Sequence, residues 1–218
     1  ETLGVQRNGA MCEYVVLPWT KVIPAANISP RDCALIEPMS VGFHAVSRAQ
    51  VTDIDTVMVI GCGMIGIGAI IRAALRGATV IAVDLDDEKL ELAKRVGAHH
   101  TINSKAENVH ERLLEITEGL GPDVVIEAVG SPATYIMAID EVGFTGRVVC
   151  IGYAKTEIAF QTKYFVQKEL DIRGSRNALP ADFRAVIRYM EQETCPKDEL
   201  ISKIAKPETA LKAMQEWA

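Results

Sequence analysis

The chain has 218 residues, a formal net charge of −6, 49% apolar residues and 24% charged ones. It is too apolar for a disordered chain and long enough for one full-sized core, or for one domain with part of a second. The acidic balance offers no basic footprint for nucleic acid or an anionic membrane. The longest uncharged stretch, Thr56 to Ile71, is 16 residues and holds four glycines, whereas a membrane span needs about 18–20 apolar residues.

Five cysteines (Cys12, Cys33, Cys62, Cys150 and Cys195) are odd in number, dispersed and without a C-x-x-C pair. Reduced thiols in a cytoplasmic protein are expected, not a disulfide framework or a compact cysteine zinc site. The N-terminus, ETLGVQRNGA, is no signal peptide. It also lacks a Met and starts mid-pattern, so a further upstream segment is expected.

Along the chain, strand and helix alternate. TVMVIG (56–61) is a short β-branched run, followed by helical spacing over 65–76 that ends at Gly77. TVIAVD (79–84) is the next strand, and DDEKLELAKRVG (86–97) a helix with acids first and Lys94 and Arg95 last, matching its dipole. HHTIN (99–103) reads as a weak strand, 107–119 as an amphipathic helix and DVVIEAVG (123–130) as a strong strand. A Ser-Pro start opens a helix over 131–143, and strands follow at 146–152 and 168–175. Five or six strands joined by short helices predict an α/β fold with a Rossmann-type doubly wound parallel sheet of about six strands. The flanks differ: 10–23 reads as strands with a Pro-Trp break, and 200–218 as a strand then an amphipathic helix starting near Pro207.

GCGMIG places Gly61, Gly63 and Gly66 between the first strand and its helix. In such a turn Gly61 permits the tight bend, Gly63 lets backbone approach a pyrophosphate, and Gly66 allows close packing of helix on sheet. The helix N-terminus presents free N–H groups and a positive dipole to the phosphates. Asp84 ends the second strand 18 residues past the last glycine. There it can accept hydrogen bonds from ribose hydroxyls and repel the extra phosphate of NADP, so NAD is the expected cofactor. Asp86 and Asp87 read as helix-start acids. A methyltransferase also pairs a glycine turn with a second-strand acid, but six strands and strand-rich flanks oppose that reading.

The segments NGAMCEYVVLP, ALIEPMSVGFHAV, VMVIGCGMIG, VIAVDLDDEKLELAKRVGA, DVVIEAVGSP, GRVVCIG and KELDIRGSRN together resemble the medium-chain dehydrogenase/reductase superfamily. The similarity is to its zinc-dependent alcohol and polyol branch, the sorbitol and threonine dehydrogenases. The resemblance implies a small-molecule alcohol substrate, NAD and zinc, a homo-dimer or homo-tetramer paired through the sixth strand, and no nucleic-acid or membrane partner. It divides the chain into 1–36, a remnant of a GroES-like catalytic domain, 37–177, the NAD-binding domain, and 178–218, a helix and strand returning to the catalytic domain.

By the same resemblance, Glu37 of E-P-M-S-V-G lies at the catalytic zinc, directly or through water; read from its residues alone, it is an acid starting a helix at Pro38. Lys89 matches a basic residue near the adenosine, Met64 and Ile65 match the residues whose backbone N–H groups meet the pyrophosphate, and Val129, Gly130, Ile151, Gly152 and Ser175 match positions lining the coenzyme. Arg176 faces substrate or zinc-bound water, or else forms a surface salt bridge. His44 reads as a helix residue at the domain junction, and His99, His100 and His110 read as structural. The family's other zinc ligands and its four-cysteine loop are not in these residues, so the chain alone is expected to be inactive and the intact protein active. Two alternatives remain: a zinc-free reductase of the quinone-reductase type, and a non-catalytic NAD-binding module.

Overall fold

Residues 2–217 are described by a computed structural model. The strands are β1 (Thr56–Ile60), β2 (Thr79–Asp84), β3 (His100–Asn103), β4 (Val124–Glu127), β5 (Arg147–Cys150) and β6 (Asp171–Gly174). The helices are α1 (Pro30–Cys33), α2 (Ile36–Arg48), α3 (Met64–Leu75), α4 (Asp87–Arg95), α5 (Val109–Ile116), α6 (Pro132–Glu141), α7 (Lys163–Gln167), α8 (Pro180–Met190) and α9 (Ala210–Trp217). The strands form one sheet in the order β3-β2-β1-β4-β5-β6, and every pair is parallel. The doubly wound sheet expected from the alternation is therefore present.

Strand alternation builds two cores. Val57, Val59, Val80, Ala82, Val124 and Ile126 face one side with α2, α3, α4 and α8. Met58, Ile60, Ile81, Val83, Val125 and Val148 face the other with α5 and α6. Burial on both faces explains why the central strands read as continuous apolar runs. Each buried Ile or Val contributes about 1.5–3 kcal/mol relative to an exposed one.

Local chemistry sets the helix starts. Asp86, Asn108 and Ser131 accept hydrogen bonds from the backbone N–H groups of Glu88, Glu111 and Thr134, capping α4, α5 and α6. Asp86 is thus the helix-start acid its position implied. Gly77 takes φ +86 just past α3, a conformation that suits glycine.

The flanks depart from expectation. Residues 10–23 form no strand; their only regular element is a 3-10 turn at Trp19–Lys21, and Tyr14, Val16 and Trp19 are exposed. The stretch 201–206 is also irregular, ahead of a 3-10 turn at Pro207–Thr209 and α9. Both segments have strand-like composition but, among the described residues, no neighbouring strand to complete a ladder, and an unpaired strand has little stability of its own. In the expected sixth strand, 168–175, only 171–174 joins the sheet. Lys168 instead donates to the carbonyls of Asp140 and Val142 at the end of α6.

Candidate coenzyme and active site

The glycine turn closes β1 at the carboxyl edge of the sheet. Gly61 has φ +95, and a β-carbon there would lie 2.7 Å from Val129 Cγ2, so both conformation and space require glycine. Gly63 precedes α3 as its N-cap, with no side chain capping the helix, and a β-carbon there would meet nothing within 4 Å. The helix N-terminus is thus open on the side where Met64 and Ile65 start the first turn, which suits a pyrophosphate. A β-carbon at Gly66 would lie 1.8 Å from the Gly61 carbonyl oxygen and 3.7 Å from Val59 Cγ1. Gly66 therefore packs the helix first against its own turn, and against the sheet only secondarily.

Asp84 is fastened to this turn. Its Oδ2 accepts from Cys62 N at 2.6 Å, and its Oδ1 accepts from Leu85 N at 2.8 Å and Asp86 N at 3.1 Å. The half-buried carboxylate thus stands beside the turn with its geometry fixed by backbone. Burial, reinforced by the Asp84 charge, pushes the Cys62 thiol up to about 12, and Lys89 acts weakly in the opposite sense. Lys89, exposed on α4, belongs to the same electrostatic neighbourhood as Asp84.

Across the switch point, Val129 and Gly130 follow β4, while Ile151 and Gly152 follow β5. The Tyr135 hydroxyl donates to the Gly152 carbonyl at 2.7 Å. A groove of about 410 Å³ there is lined by Tyr135, Cys150, Ile151, Gly152, Ser175 and Arg176, among others. Ser175 is buried, donates its N–H to the Cys150 carbonyl at 2.9 Å, and has a hydroxyl without a partner. Arg176 is exposed and takes part in no ion pair among the described residues. The coenzyme candidates on β1, β2, β4, β5 and β6 therefore share the carboxyl edge of one sheet.

Glu37 stands apart from these residues. It is exposed in the first turn of α2 and lines a groove of about 580 Å³ with Lys21, Cys33, Ala178, Phe183 and Arg184. Glu37 and Arg176 line different grooves. His44 Nδ1 pairs with Asp182 Oδ2 at 2.9 Å, joining α2 to α8. His99 Nδ1 accepts from Val80 N at 3.0 Å and His110 pairs with Glu141 at 2.8 Å, both structural contacts. Three features escaped sequence reading: Asp182, the buried Glu127, and the packing of Gly42 against α3. A Gly in E-P-M-S-V-G and another two residues past the glycine motif (Gly68) were the available signals for the last.

A family described as "Zinc-binding dehydrogenase" matches residues 65–192. The chain belongs to the zinc-binding dehydrogenase family. Among these dehydrogenases, L-galactonate-5-dehydrogenase of Escherichia coli K12 is 32% identical over 200 residues, covering 92% of this chain and 59% of its own length. The structure of galactitol-1-phosphate dehydrogenase from Escherichia coli superposes with TM-score 0.88 at 28% identity, covering 98% of this chain and 65% of that one. A protein described as a short chain alcohol dehydrogenase from Escherichia coli CFT073, solved with NADH, gives TM-score 0.88 at 27% identity, covering all of this chain and 64% of that one. The chain spans about three-fifths of the length of these dehydrogenases.

Family membership implies both a nicotinamide coenzyme and zinc. The open face at Gly63, the uncapped start of α3 and the anchored Asp84 fit a dinucleotide. A catalytic zinc usually takes three protein ligands, and among the described residues no three His, Cys, Asp or Glu side chains converge to hold a metal. These residues do not make a zinc site by themselves, with or without Glu37.

Proposed function

We propose that the protein is an NAD-dependent, zinc-dependent dehydrogenase that oxidises a secondary alcohol (a polyol, sugar acid or amino alcohol) to a ketone. The observation that carries this reading is the Asp84 carboxylate bound to Cys62 N at 2.6 Å beside an open glycine turn, in a chain of the zinc-binding dehydrogenase family. In this reading the N–H groups of Met64 and Ile65 at the start of α3 hold the pyrophosphate. Gly63 lets the phosphates come close, while Gly61 and Gly66 keep the turn tight. Asp84 accepts from the adenosine ribose hydroxyls, and its charge rejects a 2′-phosphate, favouring NAD. Lys89 lies near the adenosine. The segments at Val129–Gly130, Ile151–Gly152 and Ser175 take the nicotinamide half, and Arg176 meets substrate.

Hydride chemistry is the coenzyme's own, and the protein supplies geometry and electrostatics. Glu37 is offered as one zinc ligand, with the remaining ligands expected outside the described residues. In this reading residues 1–36 are a remnant of a GroES-like catalytic domain, 37–177 are the coenzyme domain, and 178–218 return toward the catalytic domain, with α8 packed on the coenzyme domain's core. The apolar side chains exposed in both flanks, among them Tyr14, Val16, Trp19 and Leu211, support that division. No helix among the described residues is long and apolar enough to cross a membrane. A cytoplasmic homo-dimer or homo-tetramer is proposed, joined at β6, an edge strand whose residues are all at least partly exposed.

The test is NAD reduction by the full-length protein against polyols, sugar acids and threonine, before and after chelation, with zinc quantified. Zinc-dependent turnover that prefers NAD and collapses in Glu37→Ala is expected. NAD binding without metal and without turnover on any alcohol would overturn the proposal.

A further inference from the structure

Glu127 ends β4 with its side chain wholly buried, on the face shared by Val125 and α6. One carboxylate oxygen accepts three hydrogen bonds from the segment that follows: Val129 N at 3.0 Å, Gly130 N at 2.8 Å and Thr134 Oγ1 at 2.7 Å. The other oxygen is buried with no hydrogen-bond partner. Burying a carboxylate costs more than burying an apolar side chain of similar size, unless it is paired. Here no cation pairs with it among the described residues, and its compensation comes from oriented N–H groups and the N-terminal dipole of α6. Leu or Met would fill the space but leave these three donors without their acceptor, so the carboxylate is tied to the conformation of the segment that carries them.

The consequence follows from what Glu127 holds. Gly130 has φ +84, and a β-carbon there would lie 2.7 Å from Tyr153 N; a β-carbon at Gly152 would lie 2.2 Å from Gly130 N. The segments after β4 and β5 thus touch backbone to backbone. Glu127 fastens the first through Val129 and Gly130, and its own carbonyl accepts from Ile151 N of the second at 2.8 Å. Tyr135, adjacent to Thr134, clamps Gly152 from α6.

In a sheet of this order the two mononucleotide halves of a dinucleotide bind on opposite sides of the switch point between β1 and β4. The glycine turn and Asp84 serve the adenosine half, which leaves the ends of β4 and β5 to the nicotinamide. Resting on the proposed NAD reading, we infer that Glu127 is a positioning residue for the nicotinamide half, acting as a hydrogen-bond acceptor that sets the Val129–Gly130 segment and the Gly152 segment held against it. It touches neither coenzyme nor substrate.

The experiment is calorimetric titration of the full-length protein with NAD and, separately, with ADP-ribose, which lacks the nicotinamide. Glu127→Ala is expected to weaken NAD by about tenfold or more while ADP-ribose stays within about twofold. Glu127→Gln keeps an acceptor oxygen in place and is expected to bind NAD within about threefold of wild type. Where Glu127→Ala does not fold, Thr134→Val removes one of the three donors and should show the same selectivity at about threefold. Equal weakening of both ligands, weakening of neither, or a Gln variant as poor as Ala overturns the inference. A wild-type protein that binds neither ligand overturns the NAD reading itself, a result distinct from any loss of selectivity.

Discussion

Gly42 of α2 and Gly68 of α3 bring two helix backbones into direct contact. A β-carbon at Gly42 would lie 2.2 Å from the Ile65 carbonyl oxygen, and one at Gly68 would lie 2.6 Å from the Met39 carbonyl oxygen. The opposing atoms are backbone and cannot rotate away. α2 carries Glu37 in its first turn, and α3 begins at the glycine turn. The contact therefore sets the spacing between the candidate zinc ligand and the coenzyme cradle. Gly42→Ala is expected to destabilise the fold by about 2–3 kcal/mol, read as a lower midpoint in urea unfolding.

Asp84 both anchors the turn and selects the coenzyme in the proposed reading. Asp84→Ser should reduce the preference for NAD over NADP by about ten- to a hundredfold through loss of charge repulsion and a charged hydrogen bond. Parallel titrations with the two coenzymes measure it. An unchanged ratio would remove Asp84 from the ribose site.

Asp182 joins α2 and α8 through three hydrogen bonds at one buried carboxylate. It accepts from Leu179 N at 3.0 Å, closing the start of α8, and meets His44 Nδ1 at 2.9 Å and Ser47 Oγ at 3.4 Å on α2. Asp182→Ala is expected to cost about 2–4 kcal/mol, the sum of a lost cap and an unpaired buried partner. His44→Ala should cost less, because it leaves the cap intact, and thermal unfolding of both variants checks the order.

Burial raises the Cys62 thiol from its ordinary 9.0 to about 12, and the Cys150 thiol to about 11, with the nearby Glu127 charge adding to the second. The folded state holds these protons more tightly than the unfolded chain does. Their stabilising contribution is therefore complete below about pH 9 and is lost as pH rises toward 11 and 12. Unfolding free energy should fall over that window, and Cys62→Ala should flatten the slope. At pH 8 a thiol reagent should label exposed Cys12 rapidly and buried Cys62 only after unfolding.

The sheet was legible because its signals are local: β-branched runs, a glycine turn after β1, an acid ending β2, and caps at Asp86, Asn108 and Ser131. The flanks were misread because a strand needs a partner, and 10–23 and 201–206 have none among the described residues. Glu127 was invisible for a related reason. In sequence it is one acid at a strand end, and only the fold buries it and aims three donors at it. Gly42 and Gly68 were readable as glycines, but which backbone each one meets depends on how α2 crosses α3.

Gly130 and Gly152 leave no room for each other to change. A side chain at either position would strike the other's backbone or that of Tyr153, and shrinking a neighbour cannot relieve it because no neighbouring side chain is involved. Diversification of this pocket, by mutation or by design, is therefore channelled into residues that project outward from the rigid pair. Val129, Tyr153 and Arg176 are exposed, so it is the bound molecule and not the core packing that constrains their size and polarity. Libraries built on those three should retune which molecule is accepted, whereas libraries that include the two glycines should return mostly unfolded chains.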